Sequence, residues 1–359
     1  MRTAGKLFAA LAIAASLTTV AAGSALADPP SGVTPASTDI VGVGSDTTQA
    51  VLDQFSTDYN TFLGTSTAPH LYSWDATGSS PITTKSGATS IARPNGSSAG
   101  ITALNNYTNA TVNFARSSRG PQASTPTVPG DPSSDDFVAF AKDGVSWSAL
   151  SGGNAPANLT TADLLAIYTC SKTNWNQITD IPGYTGPNAT IDAYLPQLSS
   201  GTRSFFLKAI NGGSTAATPG TCVESYLPEE NEGTDSVFAS DANAVFPYSA
   251  AHYIGQVYGG HHTSSSDYPG SLTLRNINGV NPISTTNTLN PSFTRTAYGR
   301  LVYNVVRDSE WTANGGSNAL QNIFGTSGWI CTNTTAAADI TSYGFQTLPA
   351  GACGGVSHT

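Results

Sequence analysis

Three stretches of small polar residues run directly into amphipathic helical patterns. They are Gly44-Ser45-Asp46-Thr47-Thr48, Gly96-Ser97-Ser98-Ala99-Gly100 and Ser199-Ser200-Gly201-Thr202. A helix start presents unpaired N–H groups and the positive end of the helix dipole, so each loop is a potential anion cradle. Ser and Thr hydroxyls add donors with little bulk. The same residues also cap helices in ordinary ways, and Asp46 and Ser98 each admit that simpler role. Three such loops in one chain point to a site that surrounds a small oxyanion from several sides.

Composition narrows the setting. Arg2 and Lys6, the apolar run Leu7 to Val20 and the A-x-A triplet Ala25-Leu26-Ala27 read as a secretory leader over residues 1–27. No Cys follows the triplet to carry a lipid anchor. The expectation is an exported protein, extracellular or in the cell envelope, cleaved near Ala27. Removing the leader takes two of the 14 basic residues and none of the 23 acidic ones. The acidic balance that remains argues against nucleic acid and anionic membranes as partners. With only 10% of residues charged, the position of each Arg is informative. Arg116, Arg119 and Arg203 all lie beside the Ser-rich segments.

The pattern of elements is α/β. Ile40-Val41-Gly42-Val43 reads as a strand, followed by a helix with Val51, Leu52, Phe55 and Tyr59 on one face. Thr111 to Ala115, Phe137 to Ala141, Ala244 to Tyr248 and Leu301 to Val306 read as further strands. Thr160-Thr161-Ala162-Asp163 is a capping box that opens a helix. Pro121, Pro126, Pro129 and Pro132 mark a connector, and residues 28–38 read as a flexible arm. Alternating strands and helices over this length imply two lobes. The first comprises residues 39–136 plus 247–359 and the second 137–246.

Several of these blocks together resemble the periplasmic-type phosphate-binding proteins that deliver phosphate to ABC transporters. The most specific match is Asn158-Leu159-Thr160-Thr161-Ala162-Asp163-Leu164-Leu165-Ala166-Ile167-Tyr168, continuing to Asn174-Trp175-Asn176. The Gly44 loop and the Gly96 loop correspond to the family's first two phosphate loops. Val112 to Ser118 corresponds to its "V-D-F-x-x-S-D" strand, and Ser200-Gly201-Thr202 to its "S-G-T" loop. The resemblance implies a type II periplasmic-binding-protein-like fold, two α/β lobes with an inter-lobe ligand cleft. It implies a monomeric solute-binding protein that captures a tetrahedral oxyanion, inorganic phosphate above all, for an ABC permease, with no cofactor, no metal and no catalytic residue. The ligand contacts it carries over are Asp46, Thr47, Ser98, Ser200, Gly201 and Thr202, and Ser45, Arg116, Ser117, Ser118 and Arg203 beside these loops complete the expected set. Two positions depart from the family. Its selective Asp falls on Ser118, and the Arg ahead of its S-G-T loop falls on Pro196. Asp46 and Arg203 are the residues expected to replace them.

Gly96-Ser97-Ser98-Ala99-Gly100 also fits G-x-S-x-G, the nucleophile elbow of α/β-hydrolases, with His252 or His261 to complete a triad. Pro94 interrupts the strand that such an elbow needs. The alternatives are thus a secreted phosphate-ester hydrolase, or a surface protein that has left transport, using the same cradle. Cys170, Cys222, Cys331 and Cys353 permit three disulfide pairings in an exported protein. Cys170–Cys222 and Cys331–Cys353 keep each bridge within one expected lobe.

Overall fold

The computed structural model describes residues 28–124, 130–316 and 318–358. The expected leader and its cleavage site at Ala27 lie outside the described residues. No helix among the described residues is long and apolar enough to cross a membrane. In chain order the strands used below are β1 (Ile40–Gly44), β2 (Leu71–Ser73), β3 (Phe114–Ser117), β4 (Asp135–Leu150), β5 (Asn158–Leu159), β6 (Asp192–Ala193), β7 (Ala244–Ser249), β8 (Leu272–Leu274), β9 (Asn276–Ile277) and β10 (Gly299–Arg307). The helices that position the site are α1 (Gln49–Leu63), α2 (Ser97–Asn106), α3 (Thr161–Tyr168), α4 (Gly201–Ile210) and α5 (Ala250–Ile254).

β1 is apolar on both faces and every one of its residues is buried, as a central parallel strand requires. It pairs in parallel with β2 on one side and β3 on the other. α1 then lays Val51, Leu52, Phe55 and Tyr59 into a core with Phe114, Phe140 and Trp329. Phe55 meets Phe140 and Trp329 edge-on, a geometry the ring quadrupoles favour. A second core forms around Trp147, Leu164, Ile167, Tyr168, Trp175, Phe206 and Val245. Its helix α3 opens on the expected capping box. Thr160 Oγ1 accepts from Asp163 N at 3.1 Å, and Asp163 Oδ2 accepts from Thr160 N at 3.1 Å. The result is the two-lobed mixed α/β architecture that the sequence implied.

One strand serves both lobes. From Asp135 to Gly144, β4 runs antiparallel to β10, and from Val145 onward it is antiparallel to β7 and then β8. The handover falls at Asp143-Gly144-Val145. β7 continues straight into α5, which packs on the first core. Ile277, Phe293 and Tyr298 follow that return in sequence yet belong to the second core. Residues 28–38, expected to be a flexible arm, are tied to the body. Arg93 grips Asp28 with both terminal nitrogens at 2.6 and 2.7 Å, Pro29 and Pro35 are buried, and Ser86 N donates to Pro35 O at 2.8 Å. The arm's polar composition concealed these anchors.

Both disulfides are the sequential pairs, Cys170–Cys222 and Cys331–Cys353. The first closes 52 residues and the second 22. Removing Cys170–Cys222 as a double Ser variant should lower the unfolding free energy by about 2–4 kcal/mol, with somewhat less for the shorter loop. Urea unfolding of both double variants measures this, and an unchanged midpoint for the longer bridge would refute it.

Candidate functional site

The three polar loops and the end of β3 converge where the two cores meet. β1 ends at Gly44, whose φ of +123° and close approach to the Arg116 carbonyl leave no room for a side chain. Ser45 N donates to that carbonyl at 3.1 Å. Arg116 is completely buried and spends its guanidinium on this loop. Its Nε donates to Ser45 O at 3.0 Å, and Nη1 donates to Ser73 Oγ and Trp74 O, both at 2.7 Å. Arg116 therefore braces the first loop from behind.

α2 begins at Ser97. Ser97 Oγ accepts from Ser118 N at 3.0 Å and lies 3.3 Å from Ser118 Oγ. Ser98 N donates to Ser199 O at 3.1 Å, so the second loop already touches the other lobe. Ser117 turns back on its own chain, donating to Arg119 O at 2.8 Å. Arg119 forms a two-pronged pair with Asp131 and donates to Ser98 Oγ at 3.2 Å. From the second lobe, Ser200 caps α4 through its Oγ, which accepts from Arg203 N at 3.0 Å. A Cβ on Gly201 would collide with the hydroxyls of Ser97 and Ser118. Glycine here is what lets the two lobes meet.

At the centre, Thr47 Oγ1 and Thr202 Oγ1 lie 3.2 Å apart, one from each lobe. Both donate to the same oxygen, Oε1 of Glu230, with Thr202 at 2.9 Å. Glu230 is completely buried. The next residue, Asn231, donates from Nδ2 to Asp46 Oδ2 at 3.1 Å and to Thr47 Oγ1 at 3.3 Å. The positive charge at the centre comes from β10. Arg300 Nη2 donates to Thr202 Oγ1 at 3.0 Å and lies 2.7 Å from Asp143 Oδ2, while its Nε donates to the same oxygen at 2.9 Å. Arg203 instead donates from Nη1 to Pro196 O at 2.9 Å.

Behind the first loop, His252 Nδ1 lies 3.1 Å from Thr47 O and Nε2 lies 2.7 Å from Asp267 Oδ1. Burial opposes a charge on this ring. The carboxylates of Asp267 and Asp46, with the Thr47 carbonyl, overcome it and raise the imidazole to about 10. Burial likewise opposes the Asp267 charge, and His252 outweighs it, bringing the carboxyl down to about 2. Asp46 goes the other way. Burial, reinforced by Glu229, Asp267 and Glu230, pushes it well above the usual carboxylate range against the pull of His252.

The sequence reading thus named Asp46, Thr47, Ser118, Gly201 and Thr202, which the structure brings into one cluster, named His252 only for a hydrolase triad, and missed Glu230, Asn231, Arg300 and Asp143. Glu229-Glu230-Asn231-Glu232 is a dense acidic run in a chain poor in charge, and that was the available signal. Arg300 stands alone at the head of an apolar strand, a second signal. Ser98 occupies the second position of α2, and its hydroxyl is engaged by Arg119. His252 is committed to Thr47 and Asp267, so these two residues do not form the Ser–His pair of a hydrolase.

A two-lobed frame with a polar site between the lobes is the architecture of a binding protein. The profile of the PBP superfamily domain matches residues 29–258, and the chain belongs to that superfamily. No curated protein matches it in sequence. Among solved structures, an ABC-type phosphate transport receptor from Vibrio cholerae aligns with a TM-score of 0.54 at 17% identity, covering 87% of this chain and 100% of that one. A phosphate ABC transporter substrate-binding protein from Clostridium perfringens, solved with bound phosphate, aligns with a TM-score of 0.58 at 16% identity over the same shares. At these identities the likeness is one of fold.

The His252–Asp267 pair makes a signed prediction. A raised His contributes stability that is complete below its unfolded value of about 6.5 and is lost as pH rises through about 10. A depressed Asp contributes stability that is complete above about 4 and is lost as pH falls toward about 2. His252→Gln should therefore cost about 3–5 kcal/mol near pH 6, because Asp267 is left buried without its cation. The gap to wild type should shrink between pH 7 and 10 in urea titrations. A gap that stays constant over that range would mean the ring is neutral and only packs.

Proposed function

We propose that the protein is an exported solute-binding protein that closes its lobes on a tetrahedral oxyanion, with inorganic phosphate as the preferred ligand, and presents it as a monomer to an ABC permease. The observation that carries this reading is the pair Thr47 and Thr202, hydroxyls from opposite lobes that converge on one carboxylate oxygen of Glu230. The donors gathered there are suited to an oxyanion, and the chain's own carboxylate stands in for one. Fold likeness to receptors described as phosphate-binding supports the choice of anion.

In this reading the ligand oxygens take the hydroxyls of Ser45, Thr47, Ser98, Ser118, Ser200 and Thr202 and the N–H groups around Gly201. Ser117 and the guanidinium groups of Arg116 and Arg119 hold those loops in place. Arg300 supplies the charge expected of Arg203. Asp46 acts as the selector. As a carboxylate it accepts a hydrogen bond from the proton of hydrogen phosphate, and sulfate has no proton to give. The first lobe is residues 39–136 plus 247–359 and the second is 137–246, with Ile277, Phe293 and Tyr298 packing into the second core while Leu289 packs into the first.

Isothermal titration of protein stripped by partial unfolding tests the assignment. Wild type should bind phosphate. Arg300→Lys keeps the charge and loses the planar fork, and should weaken phosphate and sulfate alike by about tenfold, or about 1.4 kcal/mol. Asp46→Asn should weaken phosphate and spare or improve sulfate. An unchanged phosphate-to-sulfate ratio would reduce Asp46 to a structural group.

Lobe closure is tested separately. Gly201→Ala holds Ser97 and Ser118 away from α4 and should abolish binding while leaving both cores folded by near-UV circular dichroism. Retained wild-type affinity would show that ligand does not need this contact.

A further inference from the structure

The anion-binding reading makes no use of Glu230 beyond its role as a stand-in, yet Glu230 holds the centre of the site. Its Oε1 takes both bridging hydroxyls, and its Oε2 is buried without a hydrogen-bond partner among the described residues. The neighbouring residues pin it from several sides. Asn95 Nδ2 donates to Glu229 Oε2 at 2.7 Å, Ser249 N donates to Asn231 Oδ1 at 3.1 Å and Gln256 Nε2 donates to Asn231 O at 2.9 Å. Asn231 itself holds a φ of +60°, a left-handed conformation that sets the direction of the chain at Glu230. Its segment therefore aims the carboxylate at the hydroxyl pair, and the two lobes that carry Thr47 and Thr202 complete its burial.

Glu230 also satisfies the site incompletely. Arg300 Nη1 and Ser45 Oγ are buried and have no partner among the described residues. A carboxylate brings two oxygens and one charge, whereas a tetrahedral dianion brings four oxygens and twice the charge. A buried anion next to an unscreened second anion is strongly disfavoured, so the two cannot share the hydroxyl pair.

We propose that Glu230 is a specificity-determining residue that acts as an internal competitor: a ligand must displace its carboxylate from Thr47 and Thr202, and only an anion that also engages Arg300 and the first loop does so. This rests on the reading of the site as an oxyanion receptor. Being tethered, Glu230 competes at a high effective concentration. A free monocarboxylate offers no more contacts than Glu230 and must also give up translational and rotational freedom, so it is excluded. A tetrahedral oxyanion gains the remaining donors and wins. The device lowers affinity for every ligand and rejects the small planar anions most.

The test is titration of stripped full-length protein with phosphate, sulfate and formate, using wild type, Glu230→Ala and Glu230→Gln. Glu230→Ala should bind phosphate at least about tenfold more tightly and should acquire formate binding that wild type lacks. Saturating formate should then push its phosphate affinity back toward the wild-type value. Glu230→Gln preserves volume and should gain phosphate affinity without accepting formate, which keeps the test usable if the Ala variant folds poorly. Hydrogen exchange gives an independent readout, since residues 228–232 should lose protection when phosphate is added to wild type. Phosphate affinity in both variants within about twofold of wild type, or weaker, overturns the proposal while leaving the receptor reading intact. If neither wild type nor any variant binds phosphate or sulfate, the receptor reading itself fails.

Discussion

A guanidinium and a carboxylate buried together at the crossing between the lobes constrain most of what surrounds them. Arg300 is 5% exposed and Asp143 not at all. Taking both charges out of water costs several kcal/mol each, so the pair is tolerable only with a nearly complete set of partners. Asp143 collects Arg300, the hydroxyl of Ser249 and the N–H groups of Gly144 and Ala251. These partners are the head of β10, the end of β7, the start of α5 and the point where β4 changes sheets. The same pair then aims Arg300 at Thr202, with its guanidinium carbon 5.6 Å from the Phe205 ring centre on α4. Crossing and site are thus parts of one network.

The rest of the site follows a different electrostatic logic. Beyond Arg300 and His252 it is crowded with Asp46, Asp143, Glu229, Glu230 and Asp267, and the donors proposed for an anion are neutral hydroxyls and N–H groups. Fixed dipoles in a dry site bind an anion without requiring a full countercharge at every contact. On the proposed reading, such a site would not attract anions indiscriminately, because the surrounding carboxylates would repel a ligand that cannot reach the donors. Arg116, expected at the site, and Arg119, noted only as flanking the Ser pair, fasten the loops that carry those donors.

What could be read from the sequence was local. The β1–loop–α1 unit, the capping box of α3 and the buried run of β10 are each encoded within a few residues by apolar period and cap chemistry. The three loops were legible because the same Ser, Thr and Gly pattern ahead of a helix occurs three times, although each alone is also ordinary cap chemistry. β4 was read only as Phe137–Ala141, whereas it runs to Leu150. Lys142-Asp143-Gly144 breaks the apolar pattern, and Ser146 and Ser148 beyond it are buried because their hydroxyls reach Arg275 O and Phe246 O, not because they are apolar. Residues 28–38 were misread for the same reason, since Arg93 holds Asp28 across 65 positions.

Glu230 shows most clearly why the centre of the site was hidden. Three carboxylates in four residues normally mark a solvated surface, and Glu229 and Glu232 keep partial exposure as that rule expects. Of the three, Glu230 alone is fully buried, and it is so for partners 183 and 28 positions away. Its burial is a property of the closed lobes and not of its own segment, because neither Thr47 nor Thr202 alone would offset the desolvation of a carboxylate. The hydroxyl pair proposed to hold an external anion is therefore a pair that exists only once the lobes are brought together. In this chain an internal carboxylate does that assembling, and on the proposed reading the ligand-recognising geometry is thereby formed in advance at a cost in affinity.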